Sequence, residues 1–150
     1  MQTDVNVLRG KIEKALADEM NKQPYYDVVF GNVNFDSKSK GPFLQCLVSF
    51  SDGEYLSQTK SRTLSTANDV ILNAYNRITG LVVVNIFNQP GIGTGPGMII
   101  GNRVRKLYNR LNLDGIVFDA PSGPQVLSNP RPEAKSQTQV RVTFEFLEDF

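Results

Sequence analysis

Ile78–Leu111 reads ITGLVVVNIFNQPGIGTGPGMIIGNRVRKLYNRL: an apolar strand, a glycine-packed loop and an amphipathic helix in direct succession. Leu81–Phe87 sets Val82, Val84 and Ile86 on one face and Leu81, Val83 and Phe87 on the other, so both faces are apolar except at Asn85. A strand of that kind is central to a sheet, or its second face meets a partner. Four glycines (Gly91, Gly93, Gly95, Gly97) then fall within seven residues, bracketed by Pro90 and Pro96. Glycine permits backbone angles and close approaches that side chains obstruct, while proline holds φ near its one allowed value, so together they specify an unusual path. In the helix that follows, Ile100, Val104, Leu107 and Leu111 form the apolar stripe. Arg103, Arg105, Lys106 and Arg110 lie outside or beside it, and this basic cluster reads as a solvated face whose C-terminal bias suits the helix dipole.

Outward from this block, both ends of the chain carry clear periodicity. Val5, Leu8, Ile12, Leu16 and Met20 recur at helical steps with Lys11, Glu13, Lys14 and Asp18 between them, which predicts an amphipathic helix over Asp4–Met20. Thr3 is the expected N-cap, and Pro24 lies past the end. Burial of Val5, Leu8, Ile12 and Leu16 would contribute about 1.5–3 kcal/mol each. Tyr26–Phe30 and Leu44–Phe50 read as strands, separated by an exposed loop over Asp36–Pro42. Ser51-Asp52-Gly53 marks a turn, with a return strand expected near Gln58–Leu64. Ser65–Arg77 supports helix and strand equally. Gly115–Asp119 reads as a short strand and the proline-rich Ala120–Pro132 as an irregular connection. Gln137–Phe146 alternates most cleanly, with Val140, Val142, Phe144 and Phe146 on one side and Gln139, Arg141, Thr143 and Glu145 on the other. The expected class is α+β: two helices across one face of a mostly antiparallel sheet, in a single domain spanning residues 1–150.

Composition excludes much chemistry. The 150 residues contain no histidine, which removes imidazole base catalysis, Ser-His-Asp or Cys-His nucleophile systems and histidine-ligated metals. A single cysteine, Cys46, cannot form an internal disulfide or a multi-thiolate zinc site, and its place among Leu44, Val48 and Phe50 reads as a buried structural thiol. The net charge of +1 supplies no global field toward nucleic acid or anionic lipid. No apolar run reaches the roughly 20 residues that span a bilayer, and the N-terminal segment has Asp4 and Glu13 but no signal-type apolar block, so the chain is expected to stay where it is made.

The glycine loop fails the phosphate-binding templates. A Gly-x-x-x-x-Gly-Lys-Ser/Thr loop needs a lysine and a hydroxyl after its last glycine, whereas Gly97 is followed by Met98-Ile99-Ile100. A Gly-x-Gly-x-x-Gly fingerprint begun at Gly91 meets Pro96 at its third glycine, and those begun at Gly93 or Gly95 fail as well. The backbone amides near Pro96 retain only the general attraction of a helix N-terminus for anions. Pro90–Gly97 therefore reads as a shaped arm of small residues, suited to lie against another subunit's backbone.

Several of these residues in order resemble the tail terminator (tail completion) proteins of long-tailed bacteriophages. After the N-terminal amphipathic helix come Asn32-Val33-Asn34-Phe35, similar to that family's Asn-x-x-Phe, and Pro42-Phe43-Leu44, where the family opens its next strand. Thr79-Gly80, the strand Leu81–Phe87 and Pro90-Gly91-x-Gly93-Thr94-Gly95 leading into a helix resemble the family's Gly, strand, Pro-x-Gly-x-Gly and helix run; Val140-x-Val142-x-Phe144 also fits. Ser65–Arg77 stands as added material, and Ala120–Pro132 is longer than a tight turn needs. The resemblance implies a tail-terminator-like fold and no enzymatic activity, cofactor or metal. It also implies a homo-oligomeric ring, typically hexameric, that closes the tail tube, stops tube polymerisation and joins the tail to the head. The implied partners are the tail tube protein, the head-tail connector protein and, for a contractile tail, the sheath protein. DNA would pass through the ring without sequence-specific binding. The implied location is the head-proximal end of the tail in the virion, with assembly in the host cytoplasm. Pro90, Gly91, Gly93, Thr94, Gly95 and Gly97 are the candidate assembly loop. Another head-tail connector or tube component, or a small phosphate-binding enzyme, are the alternatives.

Overall fold

Two strands of fourteen residues, β4 (Tyr75–Asn88) and β8 (Ser136–Asp149), pair antiparallel from Tyr75↔Asp149 to Asn88↔Ser136 and form the spine of the fold. The computed structural model describes residues 4–31, 42–51, 54–55, 75–88, 93–127 and 136–149. Along the outer edge of β4 run β2 (Phe43–Phe50) and then β3 (Glu54–Tyr55). Along that of β8 run β7 (Ser122–Leu127) and β6 (Ile116–Phe118). Beyond these lie β1 (Asp27–Phe30) beside β2 and β5 (Asn112–Leu113) beside β6. The sheet is mixed: β1 runs parallel to β2, and the other pairings among the described residues are antiparallel. With helices α1 (Val5–Met20) and α2 (Gly95–Tyr108), the chain is α+β and mostly strand.

Side-chain alternation divides the sheet. Leu44 and Cys46 of β2, Val82, Val84 and Ile86 of β4, and Val140, Val142 and Phe144 of β8 join one core cluster with Leu8, Ile12, Leu16 and Met20 of α1 and Ile100, Val104 and Tyr108 of α2. Both helices thus contribute their buried stripes to the cluster that the even-numbered residues of the long strands join. The odd-numbered face carries Leu81, Val83 and Phe87, all half-buried, and Phe87 stacks on Phe43 at 5.0 Å. Asn85, its polar exception, is satisfied: it donates to Gln45 Oε1 (3.3 Å) and its Oδ1 accepts from Gln137 Nε2 (3.0 Å) and Gln139 Nε2 (2.9 Å).

Several sequence expectations change. Asp4 is the N-cap of α1, its carboxylate accepting from the Asn6 N–H at 2.9 Å; Thr3 lies outside the described residues. Val5 is exposed because it precedes the first turn that reaches the core. Pairing resumes after residues 51–53 in the same direction, from Phe50↔Gly80 to Glu54↔Arg77, one residue out of step, so β3 extends the edge that β2 began and does not reverse it. The expected return strand at Gln58–Leu64, the loop at Asp36–Gly41 and most of Ser65–Arg77 lie outside the described residues, though Tyr75–Arg77 opens β4. Within Ala120–Pro132, Ser122–Leu127 forms β7 rather than an irregular connection. Pro124, which has no N–H to donate, is tolerated there because it falls where the ladder slips by one residue, between Ser122↔Arg141 and Gln125↔Gln139.

Arg103 also departs from the solvated-face reading. Its guanidinium donates to the carbonyls of Pro24 (2.8 Å) and Glu19 (2.7 Å), lies 3.6 Å from the Glu19 carboxylate and covers the Tyr26 ring at 5.7 Å. It therefore pins α2 to the C-terminal end of α1. Tyr108 makes a second tie, its hydroxyl donating to the Ile12 carbonyl at 2.9 Å inside the core.

Cys46 is fully buried in this core, as its alternation predicts. Burial, with a smaller push from Glu13, raises its thiol from 9.0 to about 12. A raised folded-state value keeps the thiol neutral, so the associated stability is full below pH 9.0 and is lost as pH rises toward about 12. The native chain is expected to resist a chromogenic thiol reagent at pH 8 and to react fully in denaturant; equal rates in both states would contradict the packing. Gly80 admits the Phe144 ring across β4: a Cβ there would stand 2.4 Å from both Phe144 Cζ and the Ser49 carbonyl. Gly80→Ala should cost about 1–3 kcal/mol in urea unfolding, and an unchanged midpoint would contradict this contact.

Candidate functional site

The glycine arm and the first turn of α2 form the site singled out by sequence, and its members prove unlike one another. Pro90 and Gly91 lie outside the described residues. Gly93 is exposed with φ +81°, a left-handed conformation that side chains resist. Thr94 is the N-cap residue of α2, yet its side chain makes no capping hydrogen bond; its carbonyl accepts the Met98 N–H at 3.1 Å. Gly95 has open space where a Cβ would project. Gly97 is buried, and a Cβ on it would meet Thr138 Oγ1 at 2.5 Å and Asn88 Nδ2 at 2.8 Å. One glycine therefore serves backbone shape and another close packing of α2 onto the ends of β4 and β8, while Gly95 meets neither demand.

What this turn offers a partner is apolar. Met98 is 38% exposed and Ile99 66%, directly after the glycines. The basic residues Arg105 and Lys106 sit in the last turn, at the far end of the helix from an anion attracted to its N-terminus. Beneath the first turn Asn88 is fully buried, and among the described residues neither of its side-chain atoms has a hydrogen-bond partner. No sequence signal marks Asn88 or Thr138 as neighbours of Gly97, since both come from distant strands.

A second feature lies on the odd-numbered face, where the sheet forms an open trough of about 630 Å³. Ser49, Ser51, Thr79, Thr143, Arg77, Asp119 and Glu145 supply its polar groups, with Phe50, Gly80 and Phe144 in its lining. Arg77 Nε stands 2.9 Å from Glu145 Oε2, and the Thr143 hydroxyl donates to Asp119 Oδ2 at 2.5 Å. Ser51 and Thr79 hydroxyls bond to each other, and Ser51 also donates to the Thr79 carbonyl at 3.1 Å. Sequence reasoning did not find this trough, because its residues come from β2, β4, β8 and the loop after β6 and converge only through register.

No family model matches the chain, and no curated protein matches it. Among the solved structures that match, one shares 16% identity with a TM-score of 0.65, over 99% of this chain and 99% of its own. At that identity the likeness establishes the fold alone. Among the described residues no helix is long and apolar enough to cross a membrane.

The glycines separate in a stability test. Gly97→Ala should lower stability by about 1–3 kcal/mol through overpacking against Thr138 and Asn88. Gly95→Ala should stay within about 0.5 kcal/mol of the parent. Thermal unfolding of both checks this, and equal effects would contradict the packing described.

Proposed function

We propose that the chain is a structural, non-enzymatic assembly protein of a long phage tail, built as two helices across one face of a mostly antiparallel, tail-terminator-like sheet. Copies close a ring, by the resemblance a hexamer, on the finished tail tube. The ring stops tube polymerisation and presents its opposite face to the head connector, with DNA passing through it. The observation that carries this reading is the chemistry of the glycine arm: an exposed Met98-Ile99 pair follows it, where phosphate binding would call for lysine and a hydroxyl. Exposed aliphatic side chains beside a shaped backbone favour contact with protein. The half-buried apolar residues Leu81, Val83 and Phe87 on the helix-free face add support, because a closed ring must bury two different faces of each subunit.

In this reading Pro90–Gly97 touches the neighbouring subunit or the tube. Gly93→Val and Gly95→Val should then impair ring formation in light scattering more than they impair monomer folding. Because Gly93 has a positive φ, its variant also strains the monomer, so unfolding must be measured alongside. Gly95→Val is the cleaner probe, its Cβ entering open space. Normal assembly by that variant would reduce the arm to a local elbow. Calorimetric titration with nucleotides should give no binding, and micromolar affinity would overturn the structural reading.

A further inference from the structure

We infer that the first turn of α2 is a carboxylate-binding site, and that an acidic side chain of a partner protein fills it on assembly. The inference rests on the reading of the arm as an assembly contact and names the chemistry which that contact recognises. The turn has no cap of its own. Helical backbone angles begin at Thr94 (φ −95°, ψ −13°), whose side chain makes no capping hydrogen bond. The residue before it, Gly93, has no side chain to cap with and sits at φ +81°. No acidic residue lies in the first turn, and Pro96 brings no N–H. The N–H groups of Gly95 and Gly97 therefore have no acceptor from within the helix, at the end where the macrodipole places partial positive charge. Gly93, Thr94, Gly95 and Pro96 are all exposed, so this end is open to an incoming anion.

Asn88 supplies an independent sign of a ligand. It is fully buried under this turn, and among the described residues neither Nδ2 nor Oδ1 has a hydrogen-bond partner. The amide is aimed at the turn: Nδ2 lies 2.8 Å from where a Cβ on Gly97 would stand, and Gly97 has no side chain to intervene. A buried amide donor left unpaired is destabilising, whereas one that donates to an anion held by the same turn makes a charge-assisted bond. The ligand is singly charged. From Asn88 to Asn102 the chain has no Lys or Arg, Arg103 is engaged on the Pro24 and Glu19 carbonyls, and Arg105 and Lys106 lie in the last turn. No cation of α2 thus stands beside the site to balance a dianion such as a phosphate ester. Met98 and Ile99, 38% and 66% exposed, follow directly, and a protein that covers them excludes water and strengthens the polar contact beside them. A carboxylate carried by a protein surface meets both demands.

Acetate is the probe for the site, titrated into the isotopically labelled full chain and followed by amide NMR against chloride at equal ionic strength. The Gly95 and Gly97 N–H resonances should move saturably with acetate and not with chloride. Asn88→Leu removes the amide, so it should weaken acetate binding by about tenfold while leaving the thermal midpoint level or higher, because an unpaired buried polar group goes with it. Equal shifts in the two salts, or unchanged acetate affinity in Asn88→Leu, overturn the site. Gly95→Asp and Gly95→Asn test it without touching the core: they differ only in charge, and both enter open space. The aspartate neutralises the turn from within, so relative to the asparagine it should raise the thermal midpoint and raise the concentration needed for assembly by about tenfold. A loss in sedimentation velocity of the chain alone places the partner carboxylate on a second copy, and a loss seen only in binding to tail tubes places it on the tube subunit. Equal assembly by the two variants overturns the partner carboxylate while leaving the ring intact. A parent that neither self-assembles nor caps tubes overturns the ring reading, and the acetate titration then decides the site by itself.

Discussion

The fourteen-pair ladder between β4 and β8 is the constraint on which the rest depends. A continuous antiparallel ladder forces side chains to alternate without a slip, so residues two apart from Ile78 to Asn88 and from Thr138 to Phe146 must share a face. Every other element is placed by that alternation. The buried stripes of the helices join the cluster where Val82, Val84, Ile86, Val140, Val142 and Phe144 are apolar together, and the other set carries the buried Asn85 among the half-buried Leu81, Val83 and Phe87. A one-residue slip would put Asn85 and Gln139 into the core and Ile86 outside it.

Because the ladder is so long, each edge serves two strands in turn. β2 and β3 share the edge of β4; β7 and β6 share that of β8. Each handover costs one residue of register, between Phe50 and Glu54 on one side and between Phe118 and Ser122 on the other, and β7 slips once more within Ser122–Gln125. These irregularities bend the sheet locally, and the first of them borders the trough at Phe50 and Ser51. Position on the ladder also explains the arm: α2 begins where β4 ends, so Gly97 must pass close to Asn88 and Thr138 to bring Ile100 and Val104 over the core.

Local signals were legible where burial follows a simple period. Leu8, Ile12, Leu16 and Met20, the Cys46 environment and the two faces of Leu81–Phe87 all follow from spacing alone. Residues whose role depends on a distant partner were not legible. Tyr108 looks polar until its hydroxyl finds the Ile12 carbonyl, and Arg103 looks solvated until α1 ends beside it. Asp52-Gly53 and Gly123-Pro124 carry turn chemistry, yet both fall between segments that pair along the same ladder edge, because pairing to a long neighbour outweighs local preference. Of the candidate site, the glycine spacing was visible, but the difference between Gly95 and Gly97 was not: it is set by what β4 and β8 place beneath the helix.

In the proposed assembly this fold caps a tube, with the arm beside the exposed Met98 and Ile99 at the contact. Electron microscopy of purified tail tubes mixed with the protein tests that claim most directly. The account predicts ring-shaped caps at one end of each tube and no further growth when free tube subunits are added. Bare ends that continue to elongate in the presence of folded protein would contradict it.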